Sequence, residues 1–135
     1  MRRRSINPSE LKPHKNPIPM ACLVDNILMT SAIQGHDPKT GEFPIDKIQQ
    51  IKLAFDALGS ILLEANATPE DVVKIDLFFK DKNDRALVNP FWLKMFPDPK
   101  SRPARHAQVA SLTPGCCLQI LSLIHISEPT RLRSI

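Results

Sequence analysis

The stretch Ser101–Ile120, SRPARHAQVASLTPGCCLQI, decides how the rest of the chain is read. It divides into two strands, Arg105–Leu112 and Cys116–Ile120, joined by a turn at Thr113-Pro114-Gly115. Pro103 lies just upstream of the first strand, where a missing N–H does little harm. Arg105 stands at that strand's start, behind a loop stiffened by Pro97, Pro99 and Pro103. A planar guanidinium at a stiffened loop-to-strand junction suits bidentate capture of a carboxylate. On spacing alone, a surface arginine in an ordinary ion pair is the commoner outcome.

Upstream of this stretch, Val72–Lys80 reads as a strand. Val73, Ile75, Leu77 and Phe79 make one apolar face, and Lys74, Asp76, Phe78 and Lys80 a mixed one. Between the two lies a second helix, capped by Asn83 or Asp84 and running to about Phe96 with Val88, Trp92 and Met95 inward. Pro90 removes a donor and predicts a kink or restart there. The clearest helix is Ile45–Ala65, about 30 Å long. Ile48, Ile51, Phe55, Leu58, Leu62 and Ala65 form its apolar stripe, with Lys47, Gln50, Asp56, Ser60 and Glu64 off it. Asn66 suits a left-handed C-terminal position, and Thr68-Pro69 caps a short new turn. Met20–Val24 and Ile27–Ile33 flank a hairpin turn at Asp25-Asn26. Residues 1–19, with four prolines, are expected to be extended and irregular. The order is β-β-α-β-α-β-β, an α/β (α+β) domain with two helices on one face of a mixed sheet. The other face is partly apolar and uncovered, and it calls for a partner.

Composition narrows the functional classes. At 135 residues the chain makes one domain, with 42% hydrophobic and 24% charged residues. No apolar run is long enough to span a membrane, and the basic start lacks the apolar segment of a secretory signal, so a cytoplasmic address is expected. The net charge of +4 lies at the ends: Arg2, Arg3 and Arg4 contribute +3 and the last fifteen residues +1, leaving a neutral body. A nucleic-acid partner, which needs a basic face, is therefore not expected. Cys22, Cys116 and Cys117 fit neither a disulfide framework nor a zinc spacing, and the four scattered histidines form no ligand pair. Neither a metal nor another cofactor is expected. The few glycines never cluster into a phosphate cradle.

The run Arg102-Pro-Ala-Arg105, followed by a strand, a Pro-Gly turn and Leu118-Gln-Ile120, resembles the closing motif of the RidA/YjgF family. Further segments match in the right order: Asp25–Ser31, Asp37–Glu42, Ala65–Ile75 and Val88–Trp92. The resemblance covers roughly Asn16–Ile120. It implies a chorismate-mutase-like fold, a homotrimer with ligand clefts between neighbours, and hydrolysis of reactive 2-imino acids or enamines to 2-keto acids and ammonia. It also implies roles for four residues. Arg105 would clamp the substrate carboxylate, Ser31 and Asn89 would border the site, and Gln119 stands in place of the family's glutamate.

Departures from the pattern accompany the match. The family's tyrosine near the first strand is missing, and Pro17-Ile-Pro19 lies there instead. Ala32 replaces a glycine, and Ala107 replaces a cysteine. An amide at position 119 cannot exchange protons near neutral pH. Two functions follow as expectations: an imine/enamine deaminase of weak or altered specificity, or a trimeric module that binds small carboxylates without turnover. A translation-inhibiting ribonuclease role, also associated with the family, is disfavoured by the neutral body.

The segment Leu121–Arg131 resembles, residue for residue, the translated transposon mosaic end and adaptor used in sequencing-library preparation. The domain is accordingly read as 16–120, after a flexible lead-in over 1–15 and before a non-native tail over 121–135. The apolar start of that tail could still extend the last strand through Ile126.

Overall fold

In the computed structural model, which describes residues 2–127, the sheet is built around its last strand. The strands are β1 (Arg3–Ile6), β2 (Ala21–Val24), β3 (Ile27–Thr30), β4 (Ile33–Gln34), β5 (Val72–Phe79), β6 (Ala104–Val109) and β7 (Leu118–His125). The helices are α1 (Lys47–Glu64) and α2 (Asn89–Met95), the latter preceded by a 3-10 turn over Lys82–Val88. The sheet order is β1-β2-β3-β7-β5-β6, with β4 also paired to β7. All pairs are antiparallel except β5 with β6. The parallel pair needs a crossover, and the 3-10 turn and α2 supply it. This is the expected mixed sheet with two helices.

The pleat sorts side chains by face. Ile75, Leu77 and Phe79 of β5 join Leu118, Ile120 and Ile124 of β7 in the core beneath α1. Each such side chain contributes about 1.5–3 kcal/mol by leaving water. α1 answers with Ile51, Ala54, Phe55, Leu58, Ile61 and Leu62. Its stripe is rotated from the expected one: Ile48 is exposed, while Gln50 is buried. The Gln50 amide is drawn in by backbone partners. Its Nε2 donates to the carbonyls of Pro44 (2.6 Å) and Gly115 (2.7 Å), and its Oε1 accepts from the Cys117 N–H (2.9 Å). Asp46 caps α1, and Asn66 at φ 58° ends it in the left-handed conformation expected of it.

Several boundaries differ from expectation. Arg3–Ile6, expected within an irregular lead-in, forms an edge strand because β2 supplies backbone partners and Ile6 enters the core. The second helix is capped by Asp81 rather than Asn83 or Asp84, and it begins as a 3-10 turn before restarting at Asn89 beside Pro90. The two strands of Ser101–Ile120 are not neighbours, because β5 lies between them. Gly115, at φ 86°, completes the expected turn, with the Cys116 N–H bonded to the Thr113 carbonyl at 2.9 Å. β7 runs past Ile120, as the apolar start of the tail allowed: Leu121–His125 pair with β5 and β3, and Ile124 is fully buried. Of the tail, residues 128–135 lie outside the described residues. The Ile126 N–H bonds to the Asn26 carbonyl at 2.8 Å, the last such bond at this end among the described residues. Deleting residues 127–135 is expected to leave the melting temperature unchanged, since no backbone bond or core side chain described here lies beyond Ile126. Thermal unfolding of the truncated chain checks this, and a large drop contradicts it.

Candidate functional site

Arg105 enters β6 opposite Ile75, which puts its side chain on the helix-covered face of the sheet. The preceding loop is held by Arg102, whose Nε donates to the Phe96 carbonyl (2.9 Å) and whose Nη2 donates to the Pro97 carbonyl (3.2 Å). Across from Arg105 run the 3-10 turn and α2. Arg105 Nη1 donates to Asn89 Oδ1 at 2.8 Å, and Nη2 donates to the Arg85 carbonyl at 3.1 Å. The guanidinium lies 5.2 Å from the centroid of the Trp92 ring, in cation–π reach. None of these partners carries negative charge. Burial, and after it the Arg85 cation, lowers the Arg105 pKa, yet a guanidinium stays protonated near neutrality. Four ion pairs occur among the described residues, and none includes Arg105 or Arg85.

Of the residues singled out from sequence, Arg105 and Asn89 come together; Ser31 and Gln119 lie elsewhere. Ser31 sits where the strand breaks between β3 and β4. Its N–H bonds to the Met20 carbonyl (2.9 Å) and its Oγ donates to the Pro19 carbonyl (2.8 Å). The ladder shifts by one residue here: Met29 faces Leu123, whereas Ile33 faces Ile120. Thr30 Oγ1 accepts the Ser122 N–H at 2.9 Å across the irregularity. Gln119 stands on the open face, opposite Phe78 of β5 and Gln34 of β4. Gln34 Nε2 donates to Gln119 Oε1 at 3.3 Å. Arg105 and Gln119 therefore occupy opposite faces of one sheet, on strands separated by β5 and about 10 Å apart along the strand direction. One small ligand cannot touch both within a single chain.

Two contributors to the Arg105 setting were not singled out as site residues. Arg85 offers its carbonyl, and Trp92, expected only as core, also offers a ring face. Trp92, three residues after Asn89, shares its side of α2, which is the available sequence signal for it. Arg85 lies in the 3-10 turn and contributes only its backbone carbonyl, which no side-chain pattern announces.

An open cleft of about 600 Å³, to which Arg105 and Asn89 do not contribute, is lined by Lys47, Lys80, Asp81, Lys82, Asp84, Val109 and Cys117. Lys47 Nζ lies 3.0 Å and 3.1 Å from the two carboxylate oxygens of the buried Asp84, bonding Oδ1. That hydrogen bond raises the Lys47 pKa. Burial, followed by Cys116 and Asp84, pushes the Cys117 thiol up to about 11, so it is no nucleophile at neutral pH. Among the described residues no group of three or more His, Cys, Asp or Glu is arranged to hold a metal. No helix among them is long and apolar enough to cross a membrane.

The sequence profile of the family described as endoribonuclease L-PSP matches residues 10–125. The chain belongs to this family, the RidA/YjgF proteins. A RutC family protein of Leuconostoc mesenteroides subsp. cremoris is 40% identical over 108 residues, covering 77% of this chain and 83% of that protein. The 2-iminobutanoate/2-iminopropanoate deaminase of Capra hircus is 33% identical over 120 residues, covering 87% and 86%. Among solved structures, RidA from an Antarctic Psychrobacter superposes with a TM-score of 0.83 at 28% identity, covering 91% of this chain and 99% of that one. The RidA fold is thus shared over nearly the whole domain. The family match reaches five residues beyond Ile120, in keeping with β7 running to His125.

Proposed function

We propose that this RidA-family protein hydrolyses 2-imino acids or their enamine tautomers to 2-keto acids and ammonia, with weak or altered specificity. Water adds to the C=N carbon and ammonia leaves; the carboxylate is unchanged. The observation that carries the reading is the Arg105 guanidinium, partly buried, oriented by Asn89, the Arg85 carbonyl and Trp92, and met by no carboxylate among the described residues. A cation desolvated without a counter-charge is costly, and a ligand carboxylate offsets that cost. The Capra hircus relative bears the deaminase name, which favours the reaction. Ser31 and Asn89 border the substrate in this reading, and Gln119 takes the family glutamate's position as a hydrogen-bonding group only. A labile imine needs mainly orientation, which the fixed guanidinium supplies.

Because Arg105 and Gln119 face opposite sides of one sheet, both reach one ligand only if neighbouring copies share a cleft. The open face favours such assembly: Met29 is exposed there, beside Leu123, with Phe78 and Leu121 on the same side. We assign the protein as a cytoplasmic homotrimer, and sedimentation should give the trimer mass at micromolar concentration. A stable monomer contradicts this. A second reading, a trimeric module that binds 2-keto acids without turnover, is favoured by the missing proton-transfer group at Gln119. Titration with 2-oxobutanoate tests the shared part of both readings: saturable binding is expected, and no binding at millimolar ligand ends both.

A further inference from the structure

We propose that Trp92 is a positioning residue for the Arg105 clamp: its ring holds the guanidinium in place and leaves the positive charge whole for a ligand carboxylate. This rests on the carboxylate-clamp reading of Arg105 and names a side chain that sets the clamp's affinity without touching the ligand.

Arg105 Cζ lies over the Trp92 ring, 5.2 Å from its centroid. The ring is not free to swing aside, because it is itself packed. Trp92 is 8% exposed and meets Phe96 edge to face, with centroids 4.9 Å apart at 65°. The last turn of α2 ties the two together, through the Phe96 N–H on the Trp92 carbonyl at 2.8 Å. A carboxylate in the ring's place would hold the guanidinium more strongly, but it would also neutralise it and occupy its fork. An aromatic face attracts the cation through its quadrupole and takes up no N–H group. The other two contacts go to neutral acceptors, Asn89 Oδ1 and the Arg85 carbonyl, one N–H to each. Three uncharged groups therefore fix the guanidinium, and its remaining N–H groups stay available to a carboxylate.

The chain has one tryptophan and no tyrosine, so its tryptophan emission reports on Trp92 alone. Titrating the full chain with 2-oxobutanoate should change that emission saturably, with the same midpoint as calorimetry. Emission that stays constant through calorimetric saturation overturns the inference. Two variants then separate the ring from its bulk: Trp92→Phe keeps an aromatic face, and Trp92→Leu keeps only apolar volume. Both remove core volume, so both should lower the melting temperature. Measured well below either melting temperature, Trp92→Leu should weaken 2-oxobutanoate binding about three- to thirtyfold, and Trp92→Phe should recover much of that loss. A purely structural tryptophan gives affinities that are unchanged, or equal in the two variants. Either result overturns the inference while leaving the Arg105 clamp intact. Should neither variant fold, the emission titration of the unaltered chain still decides. If calorimetry shows no binding of 2-oxobutanoate to that chain, the clamp reading falls and this inference with it.

Discussion

Gly35→Ala is expected to destabilise the protein by about 3 kcal/mol, the upper end of the usual cost of overpacking a core. A Cβ at Gly35 would lie well inside van der Waals contact distance of the Gln50 carbonyl oxygen, with the Gln50 carbonyl carbon and Cα also too close. These are backbone atoms of α1, so no rotamer change relieves the overlap. The glycine lets the chain after β4 lie directly on the helix that carries Gln50, whose amide in turn holds the loop from Gly115 to Cys117. Gly59 provides the opposite case within α1 itself. A Cβ there meets nothing within 4 Å, so Gly59→Ala should stabilise by about 0.5–1 kcal/mol through helix propensity. Urea unfolding of the two variants checks the pair of signs. Equal, small effects contradict the packing described for α1 and β4.

Arg105→Lys is expected to weaken 2-keto-acid binding about ten- to a hundredfold, while leaving the fold intact. Lysine keeps the charge but loses the planar fork that reaches Asn89 Oδ1 and the Arg85 carbonyl together, and its ammonium stacks less well on Trp92. Arg102→Lys is the matched control. Arg102 ties the loop to the carbonyls of Phe96 and Pro97, so that change should show in thermal stability more than in affinity. Equal losses of affinity at both positions, or unfolding at Arg105 with affinity intact, return Arg105 to a purely structural role.

The sequence made much of the fold legible because its strongest signals are local. The alternation Ile75, Leu77, Phe79, the Asp25-Asn26 turn, the restart at Pro90 and the left-handed Asn66 each follow from a few neighbouring residues, and each is found. Val73, expected on the apolar face, is instead exposed, because an irregularity between Val72 and Lys74 turns Val72 into the core in its place. Ser101–Ile120 was legible as two strands but not as two strands separated by β5. Parallel pairing of β5 with β6 is a long-range choice to which turn chemistry contributes nothing. The burial of Gln50 is hidden from the sequence for a similar reason: a polar residue beside an apolar stripe is normally solvated, and only backbone groups at Pro44, Gly115 and Cys117 make its burial favourable. At the site, the Arg105–Asn89 contact agrees with two positions flagged separately, yet Arg85 and Trp92 gained their meaning only once β6 lay beside the 3-10 turn and α2. The opposite facing of Arg105 and Gln119 depends on strand register across β5, which composition and motif spacing do not encode.

Ammonia release from freshly generated 2-iminopropanoate tests most directly whether the protein turns over an imino acid held by Arg105. Release should exceed the rate in buffer alone, saturate with substrate, and fall in Arg105→Lys in proportion to its loss of 2-keto-acid affinity. Binding of 2-keto acids together with ammonia release no faster than in buffer contradicts the claim.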